Sequence, residues 1–122
     1  MRKAGYLYWL PAALFAGLIF YMSGKQDPPG ISMFDFLPNA DKMAHMAEYF
    51  ILSVLIYTAL SRAHALKAAT SVLMAVILAA FYGASDEVHQ SFVPGRSMDI
   101  LDWTVDAIGA VLAQMGLLMA DN

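Results

Sequence analysis

The sequence contains no cysteine and few charged residues, and both shortages narrow what the chain can be. Without cysteine there are no disulfides, no thiolate metal sites and no cysteine nucleophile. Charged residues make up 14% of the chain, against about 25% in an ordinary soluble domain. The net charge of -3 provides no basic surface, so we expect no nucleic-acid partner. Apolar residues reach 60%, and this composition predicts a membrane protein.

Four apolar segments are long enough to cross a bilayer, which needs about 20 helical residues. They lie at about 4–24, 43–61, 68–85 and 100–120. A cleaved signal peptide is the alternative for the first segment, but that segment is long and Tyr21-Met22-Ser23 is a poor cleavage site. The string QDPPG at 26–30 cannot continue a helix, so a loop should run to about Asn39. We therefore predict an all-α, four-helix transmembrane bundle that forms a single domain over 1–122.

The order of the spans determines which polar residues share a membrane face. Spans one and three end at the face where spans two and four begin, so the polar residues at these four ends should lie together whatever the orientation. The opposite face carries Arg2, Lys3, Arg62 and Lys67, and the positive-inside rule makes that face cytoplasmic. We expect both termini in the cytoplasm and the segments 25–40 and 86–99 outside it.

Ionisable residues form one stripe on span two and another on span four, with spacings of i, i+4, i+7 and i, i+3, i+7. The stripes are Asp41, His45 and Glu48, and Asp99, Asp102 and Asp106. Because ionisable groups are costly in lipid, both stripes should face protein or a water-filled cavity. Small residues in spans three and four, such as Ala79, Gly83, Gly109 and Ala113, indicate close helix packing.

The strings DKMAHMAEY at 41–49, GASDEVHQSFVPGR at 83–96 and DILDWTVDAIG at 99–109 resemble the VanZ-like family of bacterial membrane proteins. The resemblance implies a multi-pass protein of the bacterial inner (plasma) membrane. It also implies a connection with glycopeptide resistance, because the founding member is associated with resistance to teicoplanin, a lipid-bearing glycopeptide. The family commonly has asparagine where this chain has Asp106, so this side chain serves either as a charge or as a hydrogen-bond acceptor in place of an amide.

We interpret the shared polar face as a pocket for an envelope lipid, a cell-wall precursor headgroup or a lipid-bearing glycopeptide. Arg96 offers paired donors for phosphate or carboxylate, and Lys42 offers a point charge. Tyr49, Phe92 and Trp103 are candidates for its apolar walls. The candidate ligand-binding residues are Asp41, Lys42, His45, Glu48, Tyr49, Asp86, Glu87, His89, Gln90, Arg96, Asp99, Asp102 and Asp106.

Three alternatives use the same residues. A metal-assisted membrane hydrolase or transferase would use His45, Asp86, Glu87 and His89 as ligands, although their spacing matches no known metal motif. A structural network would pair Lys42 and Arg96 with Asp86, Glu87 or Asp99 and perform no chemistry. Proton or ion transport would use the same acids, but four short spans without broken-helix repeats argue against it. The sequence leaves the cofactor and the presence of an enzymatic activity open.

Overall fold

The computed structural model describes residues 1–25 and 39–120, and within them the chain is entirely helical. Its four helices are α1 (Tyr6–Ser23), α2 (Ala40–His64), α3 (Ala68–Gln90) and α4 (Ile100–Ala120). All four are long and apolar enough to cross a membrane, which confirms the predicted all-α, four-span fold. The loop predicted over the QDPPG string lies outside the described residues.

The helix ends differ from the predicted spans at the polar face. α3 continues past Ser85 to Gln90, so Asp86, Glu87 and Gln90 belong to the helix and not to the predicted loop 86–99. α2 likewise begins at Ala40, before the predicted start at 43. The prediction started span two just after Lys42 and ended span three just before Asp86, because a charge beside an apolar run marks the limit set by lipid. The helices continue because neighbouring helices, not lipid, surround these polar side chains.

The helix termini meet in the arrangement that the order of the spans predicts. At one end, Lys42 near the start of α2 contacts Asp99, just before α4, while Arg96 bonds to Lys25, just after α1. At the other end, the Arg2 backbone N–H donates to the Ala63 carbonyl. Successive helices therefore run antiparallel, and α2 and α4 run parallel to each other.

α2 is the central helix and packs most extensively against α4, then against α3 and α1. Small residues allow this close approach. Gly109 of α4 lies against the Met46 backbone, with no space for a Cβ atom between the two helices. Deeper along the same interface, Gln114 donates to both Oγ and the carbonyl oxygen of Ser53 at 2.7 and 3.1 Å. This contact gives the Gln114 amide nitrogen partners inside the bundle, whereas Gln114 Oε1 has none among the described residues.

Candidate functional site

The first part of the polar end is an ion-pair network between α2 and α4. The Lys42 ammonium lies 2.5 Å from Asp102 Oδ1 and 3.3 Å from Asp99 Oδ2. The Leu101 backbone N–H also donates to Asp99 Oδ1 at 2.8 Å. That hydrogen bond, together with the nearby Lys42 charge, lowers the pKa of the Asp99 carboxyl from its ordinary value. Lys42 therefore pairs with both Asp99 and Asp102. The pair with Asp99 is one that the structural-network alternative predicts.

His45 lies one turn further along α2 and is buried among three carboxylates. Its Nδ1 atom is 2.9 Å from Asp106 Oδ1, which is a hydrogen-bond distance. Its Nε2 atom is 4.0 Å from both Asp41 Oδ1 and Asp102 Oδ2, too far for a hydrogen bond to either. Nδ1 of the imidazole is therefore within hydrogen-bond distance of a carboxylate, whereas Nε2 faces two carboxylates at a longer distance.

The end of α3 contributes two adjacent buried acids that make separate contacts. Tyr49 donates its hydroxyl to Asp86 Oδ2 at 3.3 Å, and the Asp99 backbone N–H donates to Glu87 Oε2 at 3.0 Å. The second oxygen of each carboxylate, Asp86 Oδ1 and Glu87 Oε1, has no hydrogen-bond partner among residues 1–25 and 39–120. Buried polar atoms are normally satisfied, so each of these oxygens is available to a ligand or water.

A small cavity opens between the ends of α1, α2 and α3. The space inside it that is open to the centre of a water molecule is about 20 Å³, which accommodates roughly one water-sized group. Arg96 lies at this cavity and donates from Nη1 to the Lys25 carbonyl at 2.7 Å. The residues lining the cavity are Ile19, Met22, Ser23, Asp41, Ala44, His45, Glu48, Asp86, Gln90 and Arg96.

Apart from His89, the predicted site residues divide into two adjoining groups that Tyr49 links. Asp41, His45, Glu48, Asp86, Gln90 and Arg96 line the cavity. Lys42, Asp99, Asp102 and Asp106, with Glu87, connect α4 to its neighbours. Tyr49 links them because its hydroxyl binds Asp86 while its ring lies fully buried between the helices.

Three ring side chains that were predicted to line or serve the pocket lie elsewhere: His89, Phe92 and Trp103. His89 stacks on Phe20 of α1, with ring centroids 4.1 Å apart, and belongs to neither cluster of candidate metal ligands among the described residues. Phe92 is 81% exposed and does not line the cavity. Trp103 donates to the Ala80 carbonyl and lines a separate groove between α3 and α4.

The contribution of α1 is the part of the site that the sequence interpretation missed. Ile19, Met22 and Ser23 form one wall of the cavity, and none of them was a candidate. The order of the spans could have predicted this wall, because the end of span one lies at the same membrane face as the polar ends of the other spans.

Arg96 does not make the carboxylate pair that the structural-network alternative requires of it. Within the described residues its side chain donates to the Lys25 carbonyl, and the ion pairs there involve Lys42 and His45. A guanidinium carries five N–H donors, and residues 1–25 and 39–120 engage Arg96 through Nη1.

Comparison with known families matches residues 6–120 to the VanZ/LLP1 family model. The chain belongs to the VanZ/LLP1 family. The match covers all four helices and both halves of the polar end, so the resemblance seen in the three sequence strings extends over nearly the whole chain. Neither the curated proteins nor the solved structures provide a match. The family and the four apolar helices together make this a multi-pass membrane protein.

Proposed function

We propose that this VanZ/LLP1 protein binds the headgroup of an envelope lipid that carries a primary ammonium beside a phosphate. The observation that carries the proposal is the composition of the cavity, in which Asp41, Glu48 and Asp86 lie around a water-sized space with Arg96 at the same opening. The ammonium would enter among the carboxylates, and the phosphate would bind the guanidinium.

Charge favours a cation inside the cavity. Three of its lining residues are acids, whereas the nearby Lys42 ammonium is already engaged by Asp99 and Asp102. Asp86 also keeps Oδ1 without a hydrogen-bond partner among the described residues, although the residue is only 4% exposed. An ammonium group supplies three donors and a positive charge, which together satisfy carboxylate oxygens of this kind.

Size favours a primary ammonium over a larger cation. A space of about 20 Å³ for a water-sized group accepts an ammonium, which is close to water in size. A trimethylammonium group is several times larger and carries no N–H donors for the carboxylates. Phosphoethanolamine therefore fits where phosphocholine does not.

Arg96 supports an anion adjacent to that ammonium. It follows the Pro94-Gly95 turn, where Gly95 has a φ of 82°, a backbone conformation that glycine adopts readily. The turn directs Arg96 back to the end of α1, and its planar guanidinium can bind a phosphate through paired hydrogen bonds. A cell-wall precursor or a lipid-bearing glycopeptide with an amine beside an anionic group would present the same chemistry.

The polar end would face the exterior of the bacterial inner membrane, with both termini in the cytoplasm. The supporting observation is the opposite end, where Arg2, Lys3, Arg62 and Lys67 are concentrated and exposed. In that orientation the cavity lies at the headgroup level of the outer leaflet of this membrane, where it meets lipids directly.

A titration with short-chain lipids tests the proposal. Dihexanoyl phosphatidylethanolamine and dihexanoyl phosphatidylcholine would be titrated into the purified protein in one non-ionic detergent, with binding followed by calorimetry. We expect the ethanolamine lipid to bind more tightly. Asp86→Asn and Arg96→Lys should each weaken that binding by about tenfold or more, the loss of a charge-assisted hydrogen bond.

Arg62→Lys is the matched control for Arg96→Lys, because it makes the same change at the opposite end of the bundle. It should leave lipid binding unchanged. Equal binding of the two lipids by the wild type would contradict the proposal. So would a melting temperature that falls in Arg96→Lys while its affinity for the ethanolamine lipid stays at the wild-type value, because Arg96 would then only brace the loop.

A further inference from the structure

Three buried side chains from three different helices converge beside the cavity. His45 of α2, Glu87 of α3 and Asp106 of α4 each place one potential ligand atom within 4.8 Å of the other two. All three residues are buried, and Asp106 is 0% exposed. Ligand atoms that share one zinc ion at about 2.1 Å lie at most about 4.2 Å apart. Only small side-chain movements would be needed to close this cluster around an ion.

Two of these side chains have unused ligand capacity. Glu87 accepts from the Asp99 backbone N–H through Oε2, and Asp106 contacts His45 through Oδ1. Glu87 Oε1 and Asp106 Oδ2 are buried and have no hydrogen-bond partner within residues 1–25 and 39–120. Leaving a buried carboxylate oxygen without a partner is costly, so these atoms point to a group that completes the cluster.

The cluster also lacks a permanent positive charge. Lys42 lies nearby but is bound to Asp99 and Asp102, neither of which belongs to the cluster. Two buried carboxylates with one imidazole form a donor set of two hard oxygens and one nitrogen. This set suits a divalent ion such as zinc or manganese, which accept both imidazole and carboxylate.

We propose that His45, Glu87 and Asp106 bind one divalent transition-metal ion of the zinc and manganese class. The ion would join α2, α3 and α4, and His45 would belong both to the metal cluster and to the cavity lining. Gly83 supports the arrangement because a Cβ atom there would lie 3.1 Å from Asp106 Oδ2. Glycine at this position lets the carboxylate lie against α3 one turn from Glu87. This proposal does not depend on the lipid headgroup.

The test is metal binding by the purified protein, with metal alone as the probe. Protein treated with chelator and then exchanged into metal-free buffer would be titrated with Zn²⁺ and with Mn²⁺. Bound metal would be counted by elemental mass spectrometry, and the melting temperature would be recorded with and without metal. We expect one ion per chain for at least one metal and a higher melting temperature when it is bound.

The variants Glu87→Gln and Asp106→Asn remove one ligand charge each and keep the side-chain shape. Each should weaken metal binding by at least about tenfold, since even partners outside the ligand sphere contribute that much. Asp99→Asn is the matched control, because it removes one carboxylate charge from a residue that pairs with Lys42 outside the cluster, and it should bind metal as the wild type does. A wild type that binds neither metal would overturn the proposal on its own, whether or not the variants fold. Equal metal affinity in wild type, Glu87→Gln and Asp106→Asn would also overturn it.

Discussion

His45 and Asp106 are 61 residues apart in the sequence, yet the imidazole Nδ1 and the carboxylate Oδ1 lie 2.9 Å apart inside the bundle. The two parallel helices α2 and α4 carry these side chains at the same depth. The side-chain hydrogen bonds between this stretch of α2 and the chain from Asp99 through α4 have sequence separations of 57 to 61, from the Lys42–Asp99 pair to the Gln114–Ser53 pair. The hydrogen bond is therefore one member of a register that extends along half of α2.

Replacing Asp106 should distinguish hydrogen bonding from charge. In metal-free buffer, we expect Asp106→Asn to change the free energy of unfolding by less than about 1 kcal/mol, because the amide oxygen still accepts from His45. Asp106→Ala should cost about 1–3 kcal/mol more, because the imidazole N–H would be buried without a partner. Denaturation in detergent measures both. Equal losses in the two variants would mean that the acceptor does not matter.

Gly109 should be the glycine of α4 that tolerates alanine least. A Cβ atom there would collide with the Met46 backbone, which cannot move without separating α2 from α4. We expect Gly109→Ala to destabilise the protein by about 1–3 kcal/mol. Gly116→Ala is the control on the same helix, since nothing lies within 4 Å of its Cβ position. It should be neutral or slightly stabilising. Similar melting temperatures for the two variants would contradict the close approach of these helices.

Lys42 and Asp102 should be coupled energetically. Lys42→Met keeps the length of the apolar stem but leaves the Asp102 carboxylate, only 8% exposed, without its ion-pair partner. We expect this change to cost about 1–3 kcal/mol. The double variant Lys42→Met/Asp102→Asn should cost less than the two single changes added together. Simple additivity in this cycle would show that the ion pair contributes nothing to stability.

The proposed orientation can be tested with single cysteines, because the chain has none of its own. Ser97→Cys lies at the polar end and Ala68→Cys at the opposite end, and both positions are exposed. An impermeant thiol reagent added to intact cells should label Ser97→Cys and leave Ala68→Cys unlabelled. The reverse pattern would place the polar end in the cytoplasm and would leave the geometry of the site unchanged.

The fold was predictable because the length of a membrane span and the alternation of span directions do not depend on individual side-chain contacts. A bilayer requires about 20 apolar residues per span, and α1 and α4 accordingly lie within two residues of the predicted spans at each end. Four spans then force the ends of α1 and α3 to meet the starts of α2 and α4. For this reason the sequence alone predicts that the acids of α2, α3 and α4 lie together.

The individual contacts were not predictable because they depend on how the helices are rotated and placed. Hydropathy ended span three at Ser85, whereas burial by neighbouring helices lets α3 continue to Gln90. His89 was a plausible metal ligand by chemistry, but the position of α1 places Phe20 against its ring. Lys42 pairs with Asp99 and Asp102, whereas Asp86 accepts a hydrogen bond from Tyr49 instead. The spacing of residues along a single helix does not determine contacts of this kind, because they depend on the position of the neighbouring helices.

The most direct test of the central proposal is the identity of the lipid that stays bound to the wild-type protein. The protein would be reconstituted with equal amounts of phosphatidylethanolamine, phosphatidylglycerol and phosphatidylcholine of identical chains, and then released from detergent for native mass spectrometry. We predict that phosphatidylethanolamine is retained in preference to both others, because it alone pairs a primary ammonium for Asp41, Glu48 and Asp86 with a phosphate for Arg96. Retention of the three lipids in equal proportion would contradict the account.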